Sequence, residues 1–248
     1  MSNELTTTNP KANLPAFAVD VEKDGIDQAA QDQATPRLKI VESMTSKEVK
    51  QIVSEGGVIV TPTNEAVAQS EEPFLVTPIF SWTSFQMRSD HDDPNSPFIE
   101  EETLARTSDI ARRAGSAQAR TETYGDNGKY QRNYCQVLNF IFWLHDLQTP
   151  AAYSYAMGSF QNGKVLNTML VRRNVHVCLN KIEMATQVKS NGKNEWYVFV
   201  PQDPHDGELF IQDEALFNHL LEQREMFKGA LEAGAIQVSP EEQVSEEA

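Results

Sequence analysis

Residues Tyr130–Leu144 read YQRNYCQVLNFIFWL, and the fold turns on how that stretch is taken. Counted two at a time, Tyr130, Arg132, Tyr134, Leu138, Phe140 and Phe142 fall together. That period is the mark of a β-strand, whose successive side chains point to opposite faces. Phe74–Arg88 reads as an earlier long strand. Strict alternation puts Phe74, Val76, Phe80, Trp82 and Arg88 on one face, and Leu75, Ile79, Phe85 and Met87 on the other. Pro78 offers no backbone N–H, so it marks an edge or a bulge.

Working outward, Ala151–Phe160 is a third strand candidate. Asn162-Gly163 reads as a turn, and Lys164–Arg173 as a helix with Val165, Leu166, Met169 and Leu170 on one side. Val175–Lys189 and Glu195–Val200 read as a hairpin joined by Asn191-Gly192, a pair suited to positive φ. Asp213–Ala233 is an amphipathic helix with a stripe of Phe217, Leu220, Leu221, Phe227 and Leu231. On the other side, Pro36–Ile40 opens the folded part. Thr45 and Glu48 have capping-box spacing ahead of a short helix that Gly56-Gly57 can stop, and Val58–Thr61 is a short strand. Residues 89–98 read as a loop, Glu100–Ala114 as a short helix and Gly115–Gly128 as a flexible polar loop.

Without its insertions the middle of the chain runs strand, strand, strand, helix, strand, strand. A five-stranded Greek-key barrel with a helix between its third and fourth strands, the OB-fold, has that order. The expected fold class is therefore mainly β with helices. It is an elaborated OB-like β-barrel over residues 36–234, with an insertion at 89–129 and a C-terminal amphipathic helix at 213–233. A disordered polar and acidic arm, 1–35, and an acidic tail, 235–248, flank it.

Composition sets the outer bounds. The chain has 248 residues, 40% of them hydrophobic, enough for a real core. The apolar run at Val137–Leu144 is far shorter than the roughly 20 residues of a membrane helix, and no apolar segment follows Met1 to suggest a secretory signal. Cys135 and Cys178 form no CxxC pair and suit a reducing cytoplasm, the expected location. A net charge of −15 argues by itself against nucleic acid. The charge is unevenly placed, however. Residues 116–200 hold nine basic and five acidic side chains, whereas 201–248 hold two and twelve.

Binding a single strand needs cations along the phosphates and flat rings under the bases, each stack worth about 1–3 kcal/mol. Arg120, Lys129, Tyr130, Arg132 and Tyr134 interleave these types. Trp82 and Arg88 share a strand face, Arg37 and Lys39 lie at the start of the fold, and Lys164, Arg172 and Arg173 flank the central helix. The competing reading is that the rings are core and the cations solvated surface; it fits Phe140, Phe142 and Phe199 best, and Trp82, Tyr130 and Tyr134 fit either. Glu241, Glu242, Glu246 and Glu247 could dock a protein partner or simply keep the chain in solution.

Reactive sites find little support. From Asp90 an EF-hand register matches at Asp90, Asp92 and Glu101, but Pro94 and Asn95 stand where a ligand and a glycine belong, so a solvated acidic loop is expected. His176 and Cys178 share a strand face in this reading, yet nothing completes a zinc set. No phosphate-binding loop, nucleophile elbow, zinc-protease or dinucleotide motif appears, so neither catalysis nor a cofactor is expected.

Four segments together resemble a bacteriophage family of single-stranded-DNA-binding proteins carried in replication modules. They are Pro36-Arg37-Leu38-Lys39-Ile40; Phe74-x-Val-x-Pro-Ile-Phe with Trp82; Gly158–Leu170 with Leu166-Asn167-Thr168; and Gly192-x-x-x-Trp196-Tyr197. The resemblance covers roughly residues 36–200. It implies an OB-type barrel that coats single strands during phage replication or recombination, with an acidic tail toward replication proteins and no membrane association. A virion or other interaction protein assembling through the 213–233 helix is the alternative, and a nuclease or recombination enzyme the third.

Overall fold

A computed structural model describes residues 35–90, 92–192, 195–234 and 236. The arm before Thr35 and the acidic tail with its four glutamates lie outside the described residues.

In chain order the elements are β1 (Arg37–Ile40), α1 (Lys47–Ile52), β2 (Val58–Thr61), β3 (Glu65–Ala68), β4 (Phe74–Arg88), β5 (Ile99–Thr103) and α2 (Asp109–Gly115). There follow β6 (Thr121–Tyr124), β7 (Tyr130–Leu144), β8 (Thr149–Tyr155), α3 (Phe160–Arg173), β9 (Ile182–Ser190), β10 (Glu195–Gln202) and α4 (Glu214–Glu232). The protein is mainly β: one sheet curls into a half-barrel in the order β10-β9-β4-β7-β8-β1-β2-β3, with a few helices packed on it. Within that path β8 and β1 pair in parallel, and the other neighbours are antiparallel.

The two long strands do double duty. The first part of β4 pairs with β9 and the last part of β7 with β8, which makes the body. The far part of β4 pairs with β5 and the near part of β7 with β6, which makes a four-stranded arm. The insertion is therefore not the helix and loop read from sequence. Residues 99–103 and 121–124 are strands, and helix α2 begins only at Asp109, where Ser108 caps it by accepting from the Ala111 N–H.

One face of the sheet turns inward. Leu38, Ile40, Phe74, Val76, Phe140, Phe142, Tyr155, Ile182, Met184 and Phe199 form the core of the body there, and Leu166 of α3 plugs it. The outward face carries α4, whose Leu220 and Phe227 pack on Ile79, Ile141 and Trp143, and α1, whose Val49 packs on Ile59. In the arm, α2 covers Phe85 and Tyr134 on the inward side.

Several local readings change. Strict alternation along β4 fails at a bulge between Pro78 and Phe80, as expected where proline cannot complete the ladder. Opposite residues of an antiparallel pair share a face. Phe74 and Val76 therefore lie with Phe85 and Met87, paired to Leu144, Gln136 and Tyr134, while Phe80, Trp82 and Arg88 lie on the outward face. Strand β8 stops at Tyr155 rather than Phe160. Asn162 and Gly163 belong to α3: the Asn162 amide donates to the Phe199 carbonyl at 2.8 Å, and Gly163 rests on Tyr155. Val177–Leu179 is a 3₁₀ turn, so β9 starts at Ile182, and His176 Nδ1 accepts from the Cys178 N–H instead of sharing a strand face with it. Ser190 pairs with Glu195, making the hairpin connection four residues long around Gly192 at φ +82°. At α1 the cap position is Ser46, and Thr45 Oγ1 accepts from the Glu42 N–H, so no capping box forms.

Candidate nucleic-acid interface

The residues picked from sequence as single-strand contacts divide over three places. Arg37 and Lys39 on β1 and Trp82 and Arg88 on β4 share the outward face. There the register sets Trp82, Asn139 and Ser154 in one row across β4, β7 and β8. Hydrogen bonds continue it: Arg37 Nη2 donates to Ser154 Oγ at 3.3 Å, Ser154 Oγ to Asn139 Oδ1 at 2.7 Å, and Asn139 Nδ2 to Ser84 Oγ at 2.9 Å. Asn139 and Ser84 are buried; Arg37, Trp82 and Ser154 are half-buried at the ends of this polar seam. The Trp82 ring stacks on Phe80, with centroids 5.8 Å apart. Farther out, both Arg88 Nε and Nη2 donate to Gln86 Oε1, and its guanidinium lies 5.0 Å from the Phe98 ring.

Lys129, Tyr130, Arg132, Tyr134 and Arg120 gather in the arm, where Tyr130, Arg132 and Tyr134 share one face of β7. The arm does not hold them as an open row. Tyr134 is buried; its hydroxyl donates to Glu122 at 3.1 Å and accepts from Arg113, whose guanidinium also pairs with Glu122. Arg132 meets Glu100 through two nitrogens, at 2.8 and 3.1 Å, and Glu122 at 3.6 Å, beneath the Tyr124 ring. The charge-assisted hydrogen bond to Glu100 holds Arg132 more firmly protonated. Arg113 likewise holds the Glu122 carboxyl below the usual carboxylate range. Tyr134 and Arg132 thus tie α2, β5, β6 and β7 together through Glu122 and Glu100. Lys129 is exposed and donates to the Tyr130 hydroxyl at 2.9 Å, and Arg120 is exposed with its Nε on the Ala114 carbonyl.

The third group is on α3. Lys164 and Arg172 are exposed. Arg173 is not available: its side chain is 8% exposed and donates to the carbonyls of Lys181 at 2.8 Å and Leu209 at 3.3 Å while pairing with Asp203. Among the described residues Lys39, Arg88, Arg120, Lys129, Lys164 and Arg172 form no ion pair.

The acidic loop is tied down rather than solvated. Asp93 is buried, accepting from the Asn95 N–H and from the Tyr124 hydroxyl at 2.9 Å; the first of these bonds chiefly holds its carboxyl below the ordinary range. Asp90 accepts from the Gln131 N–H at 2.7 Å. Among the described residues no set of three or more histidine, cysteine or carboxylate side chains is placed to hold a metal. No described helix is long and apolar enough to cross a membrane.

Sequence reasoning passed over Arg106, Ser81 and Thr83, and noted Asn167 only within the Leu166-Asn167-Thr168 segment, without a role. They come from β4, α3 and the loop before α2, and only folding joins them around a cavity of about 180 Å³. Arg106 stands alone between Ala105 and Thr107, with no aromatic neighbour to draw notice.

No protein-family model, curated protein or solved structure matches the chain.

Proposed function

We propose that the protein binds single-stranded DNA without reading its sequence, as an OB-type coating protein of phage DNA replication or recombination, with no catalytic step and no cofactor. The observation that carries this reading is the connectivity. Strand β4 pairs with β7 and β7 with β8; α3 follows; β9 returns to β4, and β10 completes a hairpin with β9. An OB barrel shares these pairings, although among the described strands β8 pairs with β1 and not with β10, and such barrels take oligonucleotides on their second and third strands and the loops after the first and fourth. In this chain those parts are β7, β8, the 89–129 arm and the turn after Ser190.

The cations that lack a carboxylate partner support the same reading, since they can meet a phosphate without giving up an internal ion pair. Lys39, Arg88, Lys129, Lys164 and Arg172 meet that condition, with Tyr130 and Trp82 as the half-exposed rings. The glutamates at 241, 242, 246 and 247 are proposed to face replication or recombination proteins. The assembly alternative draws on the apolar stripe of α4, but Leu220 and Phe227 of that stripe already pack on the sheet.

Titrating intrinsic tryptophan fluorescence with oligo-dT at two salt concentrations tests the proposal. Quenching is expected, with a log–log salt slope of about −0.7 per phosphate neutralised. An unchanged signal at low salt, with no binding by a second method, would reject it. Loss of the oligonucleotide on adding a divalent metal would point to a nuclease.

A further inference from the structure

We infer that the cavity at the junction of body and arm is a subsite for one nucleotide of a bound strand, with a phosphate on Arg106 and its base over Leu138 against Asn167. The inference rests on the single-strand reading and adds to it a place where one base is gripped rather than merely stacked.

The cavity lies on the inward face of β4 and β7, between α3 and the loop before α2, beyond the point where Leu166 plugs the body. Its volume, about 180 Å³, is several times the roughly 30 Å³ of a liquid water molecule. It is also below the roughly 300–1,000 Å³ of a pocket for a drug-sized ligand. One heterocycle fits that interval; a folded cofactor does not.

The lining has two chemically distinct sides. Ser81 and Thr83 give hydroxyls, Arg106 a guanidinium and Asn167 an amide, while the buried Leu138 and Phe140 leave only a narrow apolar strip at the bottom. Among the described residues Arg106 has no ion pair, and the side chains of Ser81, Thr83 and Asn167 have no hydrogen-bond partner. Polar groups elsewhere on this sheet, such as Asn139 and Ser84, satisfy one another. A planar guanidinium suits a phosphate, which it can meet through two parallel bonds. A side-chain amide carries donor and acceptor side by side, the pattern needed to meet the polar edge of a base. Lys164 stands one turn before Asn167 on α3, on the same side of the helix, so the strand leaving the cavity meets a second unpaired cation.

The full chain tests this with two strands of equal length, one of dT and one of abasic sugar phosphate. The unsubstituted protein is expected to prefer dT. Arg106→Ala should weaken dT binding about tenfold and make the log–log salt slope about 0.7 less negative. Arg106→Lys should restore the slope but only part of the affinity. Asn167→Leu removes the amide and narrows the space, and should lower the preference for dT over the abasic strand about tenfold while leaving the part that comes from stacking on Tyr130 and Trp82. Lys47→Ala, on α1, should change neither. If the unsubstituted protein binds dT and Arg106→Ala and Asn167→Leu leave affinity, slope and dT preference intact, the subsite is overturned and single-strand binding stands. An effect of Arg106→Ala with the preference unchanged in Asn167→Leu also overturns it, because only a phosphate would sit there. If the unsubstituted protein binds neither strand, the reading beneath it fails as well.

Discussion

Arg172 and Arg173 share a charge and a place in sequence, but α3 turns them to different surroundings. Arg172 is exposed at the end of the helix, with no ion pair among the described residues, while Arg173 gathers the carbonyls of Lys181 and Leu209 and the carboxylate of Asp203. Arg173→Ala would take a charged donor from the half-buried carbonyls of Lys181 and Leu209, a loss of about 1–3 kcal/mol. Arg172→Ala should leave stability within about 0.5 kcal/mol and weaken single-strand binding instead. Urea unfolding and oligo-dT titration of both variants check the pair; a stability loss at Arg172 equal to that at Arg173 would undo the assignment. Sequence could not separate the two, because a run of basic residues shows charge and not what receives it. The same limit applies to Tyr134 and Arg132, whose acidic partners at Glu122 and Glu100 lie 12 and 32 positions away.

Among the elements, α3 shows how closely helix and sheet approach. A Cβ on Gly163 would come 2.7 Å from Tyr155 Cβ, so this helical position accepts only glycine without movement. Gly163→Ala gains intrinsic helix propensity of up to about 1 kcal/mol, but crowding in a filled core costs about 1–3 kcal/mol. A net loss of stability is expected by chemical denaturation, and an equal or greater stability would show that the contact yields. Asn162-Gly163 looked like a turn because local sequence cannot reveal that a glycine is needed for packing. The long strands were legible, since large apolar side chains recurring at alternate positions over much of each stretch suit a pleated ribbon and not a helix. Strands β5 and β6 were not: IEEET and TETY carry no apolar alternation and become strands only because β4 and β7 extend beside them. Pro78 was legible as an edge or a bulge; that it is a bulge, and that it reverses every later face of β4, needed the register.

Among the described histidines and carboxylates whose protonation is shifted, the shift runs one way. Burial holds His145 below its ordinary 6.5 and does the same to His176. Glu183 is pushed up by burial, yet hydrogen bonds from Gln202 and His205 outweigh this and leave its carboxyl below the usual range; Asp93 and Glu122 are lowered too. Each of these groups binds protons more weakly folded than unfolded, so each contributes stability at neutral pH that is lost as pH falls. Loss should begin as pH drops through 6.5, with the histidines, and steepen through and below the ordinary carboxylate range. Thermal melts from pH 8 to pH 4 check this; a midpoint that rises on acidification would contradict it. His145→Gln should flatten the first part of the profile, because its contact with Thr77 at 2.9 Å would no longer depend on protonation.

The pairing of β4 with β7 runs from Val76 opposite Leu144 to Arg88 opposite Asn133, through body and arm alike, with a single interruption. Two parts that share continuous strands have no joint between them. A load applied at the tip of the arm must pass down this ribbon into the body, so the arm yields there as a continuous beam does and not as a lid on a hinge.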